Sequence, residues 1–191
     1  MLRWLGIAIA LFHLTGCAGL MFAGAATTVN YVTDPRSTEQ IWLDKNIEFE
    51  VAAMGNKAPY KDKIRLLASS FNGQVVMIGQ IPTTANGQAI ERAIRELKGV
   101  KSVHNRTQQK PPLDLATISE DTWITAKVKS RLLTENELNG IKVRVFTEDG
   151  QVFLFGYVTR AQGDKATEVA RHISGVKEVI RAFQYPDTQV Q

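Results

Sequence analysis

The sequence has one cysteine, three histidines and, past its first residues, no apolar run that could cross a bilayer. Each scarcity excludes something. A single thiol, Cys17, rules out an internal disulfide framework. His104 and His172 lie far apart in the chain, whereas a metal centre needs several convergent ligands. No metal and no cofactor is therefore expected. The G-x-x-x-x-G-K-[ST] phosphate loop is absent. A formal net charge of +4 with 22% charged residues is mildly basic, far from the dense cationic character of a nucleic-acid binder. No nucleophile–base constellation stands out. The composition points to a non-enzymatic protein with no small-molecule substrate and no nucleic-acid partner.

What is present begins at the N-terminus. Arg3 precedes an apolar run, Trp4–Leu14, broken only by Gly6 and His13. That run is too short for a permanent span, which takes about 20 apolar residues. It suits the core of a cleaved export signal, residues 1–16. The next residues, Leu14-Thr15-Gly16-Cys17, resemble a bacterial lipobox: an aliphatic side chain, two small ones, and a thiol to take the lipid. Cys17 is therefore the expected lipidation site. Among Gram-negative lipoproteins an aspartate after the cysteine commonly marks inner-membrane retention. Ala18 stands there instead, which by that resemblance implies the outer membrane, facing the periplasm. Residues 17–38 then read as lipidated cysteine and tether, ending in Asp34-Pro35-Arg36-Ser37.

The remaining chain repeats itself. Gly73-Gln74-Val75-Val76-Met77-Ile78-Gly79 matches Gly150-Gln151-Val152-Phe153-Leu154-Phe155-Gly156, and Gly99-Val100-Lys101-Ser102-Val103 matches Gly175-Val176-Lys177-Glu178-Val179. Upstream, Trp42 with Ile47 and Val51 aligns with Trp123 with Val128 and Leu132. Two copies make a duplication rather than a solenoid. Helical spacing predicts a first helix in each copy. Asn72-Gly73 and Asp149-Gly150 predict two-residue hairpin turns. A second helix is expected to stop at Gly99 or Gly175, with a last strand after it. The fold class is thus α+β: two tandem αββαβ units, each a three-stranded sheet with two helices on one face. Boundaries fall at 39–107 and 119–185, with 108–118, carrying Pro111-Pro112, as linker and 186–191 as tail. Each copy carries its own elements, so residues 119–185 are expected to fold alone.

The repeated G-x-V-x-L-x-G-x-V and G-V-x-x-V patterns, with the helix before them, resemble BON domains. Two of them behind a lipobox and an Asp-Pro-Arg tether resemble the family of dual-BON, division- and outer-membrane-stress-associated lipid-binding lipoproteins. So does the segment Asp121-Thr122-Trp123-Ile124-Thr125 with Lys127-Val128 and Leu132-Leu133-Thr134. The resemblance implies a periplasm-facing outer-membrane lipoprotein that binds anionic phospholipid and supports envelope integrity, often at division sites.

The first helix of the second copy, predicted over Thr122–Thr134, carries the candidate site. At about 100° per residue, Ile124, Val128 and Leu132 form the core stripe. Trp123, Lys127, Ser130, Leu133 and Thr134 point elsewhere, flanked by Lys129 and Arg131, with no acid in the stretch. An outward Trp and Leu among cations is what an anionic membrane surface accommodates. The alternative is that Trp123 packs on the other copy. In the first copy Trp42 and Phe49 sit among Asp44, Glu48 and Glu50, charges that such a surface would repel. Trp42 and Phe49 are therefore candidates for protein contact. The competing function is a protein adaptor in envelope assembly or quality control, using these aromatics or exposed sheet faces and an envelope protein partner. One consequence concerns the anchor. Cys17→Ala should abolish acylation and signal processing, checked by mass spectrometry of the membrane fraction; a normally lipidated, normally sorted variant contradicts the lipobox assignment.

Overall fold

The computed structural model describes residues 34–139 and 141–186; Cys17 and the expected signal lie outside the described residues. Helix α1 (Thr38–Gly55) is capped by the Ser37 hydroxyl, which accepts from the Gln40 N–H. Strands β1 (Arg65–Phe71) and β2 (Gln74–Gln80) follow, then α2 (Thr84–Arg95) and β3 (Ser102–Gln108). The second copy repeats the order with α3 (Leu115–Leu133), β4 (Arg144–Glu148), β5 (Gln151–Tyr157), α4 (Arg160–Arg171) and β6 (Glu178–Gln184). In each sheet the hairpin is antiparallel and the last strand pairs parallel to the central one. The tandem αββαβ expectation is met.

Three boundaries differ from expectation. Helix α3 starts at Leu115, because Asp114 caps it by accepting from the Thr117 N–H; the signal was the Asp, which the pattern of apolar residues does not reveal. The connection is only 109–114 and is pinned to both copies: Lys110 pairs with Asp149, and the Leu113 N–H donates to Gln80 Oε1. The second helices end at Arg95 and Arg171. Gly99 and Gly175, at φ +89 and +95, close the turn that follows rather than the helix itself.

Each copy has a core between its helices and one sheet face. Ile47, Val51, Met77, Ile90 and Ile94 are buried in the first, and Ile124, Val128, Leu154, Ala166 and Ala170 in the second. A third cluster joins them. Val76 and Ile78 of β2 pack on Phe153 and Phe155 of β5, with Leu67, Phe146, Ile180 and Ala182 around them. The two sheets therefore stack back to back and the helix layers lie outermost, on opposite sides. The sheet faces available to a partner in the adaptor reading are covered by each other. Each fully buried Val, Ile or Phe contributes about 1.5–3 kcal/mol relative to exposure, as an upper bound. Charged pairs frame this seam: Arg65 with Glu148 at 2.7 Å and Arg144 with Glu48 at 2.5 Å. A 119–185 fragment would lose the first turn of α3 and expose Phe153 and Phe155, so the expected autonomy of that fragment does not fit this packing. The clue lay in β2 and β5 themselves, whose unbroken apolar runs mark strands buried on both faces.

One contact recurs in both copies. Asp44 of α1 is 1% exposed and accepts the Asn72 and Gly73 N–H groups, the Ser70 hydroxyl and Arg36. Asp121 of α3 is 4% exposed and accepts the Asp149 and Gly150 N–H groups at 2.6 and 2.8 Å. Each carboxylate thus fastens its helix to the hairpin turn, whose residues take positive φ. Burial pushes the Asp44 carboxyl up, but the hydrogen bonds from Gly73, Ser70, Arg36 and Asn72 outweigh it and hold it below 3.8. The ionised contact stabilises the fold fully above that ordinary value and is lost as pH falls through the depressed one. Asp121→Ala leaves two N–H groups without this acceptor, at about 1–3 kcal/mol each where water cannot replace it. Denaturant unfolding should show a loss on the order of 3 kcal/mol; an unchanged midpoint contradicts this role.

Candidate functional site

The sheet stacking leaves the outer face of each first helix without a partner. On α3, Leu115, Trp123 and Leu133 are 81%, 66% and 81% exposed. All three lie on the side of the helix away from the buried Asp121, Ile124, Val128 and Leu132, Leu115 and Leu133 in line and Trp123 beside them. Trp123, exposed to this extent, does not pack on the first copy. On α1, Trp42 and Phe49 are 73% and 71% exposed and likewise point away from their core.

Beside these α3 residues runs a groove of about 650 Å³. One wall is Trp123, Ala126, Lys127, Ser130, Arg131 and Thr134; the other is the turn after α4, His172, Ile173 and Ser174. Five of the seven expected contact residues meet here. The other two, Lys129 and Leu133, stand on the opposite flank of α3, by a smaller cleft of about 250 Å³ shared with Leu138, Ile141 and Val143. The site is a ridge between two depressions, not one patch. The His172–Ser174 wall was not visible in the sequence, since it comes from the other end of the repeat.

The cations are not equivalent. Lys127 donates from Nζ to the Ser174 carbonyl at 2.7 Å, which holds its charge at the groove mouth. Arg131 pairs with Glu135 at 3.2 Å on an exposed surface, an interaction worth little in water. Lys129 is exposed. The Thr134 hydroxyl donates to the Arg131 carbonyl at the helix end. Among the described residues no cluster of His, Cys, Asp and Glu could hold a metal ion. Nor is any described helix long and apolar enough to cross a membrane.

The face of α1 needs correction. Asp44 is buried on the turn and is not a surface charge. Glu48 has 13% of its side chain exposed and takes the Ser70 N–H, Lys45 and Arg144. Burial pushes its carboxyl up, but Arg144, Lys45 and the Ser70 N–H win and hold it low. Only Glu39 and Glu50 remain as outward acids near Trp42 and Phe49. The repeat register also shifts. Because Asp44 corresponds to Asp121, Trp123 corresponds to Asn46 and Trp42 to Ser119; the two tryptophans are one helical turn apart. In this register Ala126 answers to Phe49 and Lys127 to Glu50. The groove floor is open in the second copy because Ala126 is small.

This geometry can be set beside known proteins. The BON domain model matches residues 43–111 and 120–187. The chain belongs to the BON family. It is 36% identical over 179 residues to the outer membrane lipoprotein DolP of Haemophilus influenzae, covering 93% of each chain. It is 36% identical over 153 residues to a 21 kDa hemolysin of Actinobacillus pleuropneumoniae, covering 80% of this chain and 79% of that one. The osmotically-inducible protein Y of Escherichia coli is 29% identical over 55% of this chain and 54% of its own. The chain is thus a dual-BON protein of the DolP type.

Proposed function

We propose that this DolP-type outer-membrane lipoprotein is tethered through Cys17 and binds anionic phospholipid through its second BON domain. The observation that carries the reading is the α3 ridge: Leu115, Trp123 and Leu133 exposed on its outer side, with Lys127, Lys129 and Arg131 beside them and no acid from Thr122 to Thr134. Trp123 and Leu133 enter the interface, where an indole satisfies both its apolar body and its N–H. The cations attract anionic headgroups at about 1 kcal/mol each. The groove past Lys127 takes a headgroup between Trp123 and the Ser174 turn.

The tether allows this orientation. Residues 17–34, fully extended at about 3.3 Å each, reach at most about 55 Å. That exceeds the depth of stacked sheets about 10 Å apart with helices of about 10 Å diameter on either side. With α3 on the membrane, Trp42 and Phe49 face away from it. Their exposure on the far side supports a second role for the protein, contact with an envelope protein partner in assembly or quality control. Membrane contact supports envelope integrity, at division sites among others, by holding the protein where anionic lipid gathers.

The test uses the mature chain carrying Cys17→Ser, with anionic and neutral vesicles at two salt concentrations. Trp123→Glu should weaken anionic-vesicle binding about tenfold or more. Reversing Lys127 and Lys129 should weaken it and flatten its salt dependence, since fewer screened attractions remain. Equal binding to neutral vesicles, or no effect of either variant, sinks the proposal.

A further inference from the structure

Away from α3, the stacked sheets leave a crevice at one corner. The end of β1, the start of β2, the middle of β3 and most of β6 surround it. Its inner part, about 200 Å³, has an apolar floor of Val76, Phe155, Ile180 and Ala182. It adjoins an outer cavity of about 620 Å³, the two sharing Phe71, Gln74, Phe183 and Gln184. Together they reach the size of ordinary small-molecule sites, roughly 300–1,000 Å³. Neither part is lined by an Asp or a Glu. The rim is cationic, with His104, Arg106 and Arg181 at the inner mouth and Arg36 further out.

These cations differ in what already occupies them. Arg36 is held by Asp34 and Asp44 and lies over the Phe71 ring. Arg181 pairs with Asp164 at 2.7 Å. Arg106 makes no ion pair and no side-chain hydrogen bond among the described residues, and stands exposed above the apolar floor. A guanidinium in that position suits a carboxylate, which it can grip with two hydrogen bonds. The narrow inner part admits one alkyl chain, not the paired tails of a phospholipid.

We propose that this crevice binds a fatty acid, its chain on Val76, Phe155 and Ile180 and its carboxylate on Arg106. The site shares no residue with the α3 ridge, so the two stand or fall separately.

The experiment titrates the mature chain carrying Cys17→Ser with octanoate, and with octyl glucoside as an uncharged probe of equal chain length, both below micelle formation. Methyl NMR follows Val76 and Ile180. Octanoate should shift both methyl groups more strongly than octyl glucoside does. Arg106→Glu should weaken octanoate about tenfold and leave octyl glucoside unchanged. Gln74→Trp, at an exposed position in the mouth, should block both probes without touching the core. Trp123→Glu should leave octanoate binding intact, with circular dichroism confirming that every variant is folded. The proposal is overturned if octanoate shifts Ile173 and Leu133 instead of Val76 and Ile180, or if Arg106→Glu binds it as the parent does.

Discussion

The contact of β2 with β5 governs the whole molecule. Val76 and Ile78 meet Phe153 and Phe155, and each sheet thereby buries the face its own helices leave bare. Two consequences follow. The helix layers can only be outermost, so α1 and α3 present their exposed residues in opposite directions. The stacked sheet faces also become unavailable to any third party, which leaves helix faces, strand edges, turns and the corner of the seam for recognition. A sheet with one face open would be an aggregation hazard in either copy. Stacking removes that hazard in both at once, which is one physical reason for a duplicated domain to stay duplicated.

Within that frame the copies have parted in what they show to the outside. Their shared machinery is inward: Asp44 and Asp121 fasten first helix to hairpin by the same bonds. Their differences are outward. Where α1 has Phe49 and Glu50, α3 has Ala126 and Lys127. The exchange of a large ring for a methyl group opens the groove, and the exchange of acid for base sets its sign. The first copy keeps two exposed aromatics on a face with both charges. In the proposed arrangement the α3 face meets lipid and the α1 face, across four layers, is left to a different partner.

Much of this was legible in the residues. Helical spacing, the Asn-Gly and Asp-Gly turns and the repeated glycine patterns specify two αββαβ units, because local geometry decides each of them. Trp123, Lys127, Ser130, Arg131 and Thr134 could be gathered from the helical period alone. What was not legible depends on contacts distant in the chain. Asp44 looked like a surface acid, because nothing local shows that the turn at Asn72-Gly73 lies over it. His172, Ile173 and Ser174 could not be placed beside α3 without the fold. That Lys129 and Leu133 line a different depression from Trp123 and Lys127 is not readable from a helical wheel, which assigns angle but not neighbours. Identity pairs the two tryptophans, whereas the buried aspartates set the true register. The double burial of β2 and β5 is written in their unbroken apolar runs, but which surface covers the second face is set by a strand far away in the chain.

In the proposed arrangement α3 faces the membrane and α1 faces away, and tryptophan fluorescence tests this most directly. Outside the expected signal the chain has two tryptophans, Trp42 and Trp123. Trp42→Phe and Trp123→Phe each leave one reporter on one face. Anionic vesicles containing brominated phospholipid should quench Trp123 strongly and leave Trp42 nearly untouched. Equal quenching of both, or quenching of Trp42 alone, contradicts the opposed-face account.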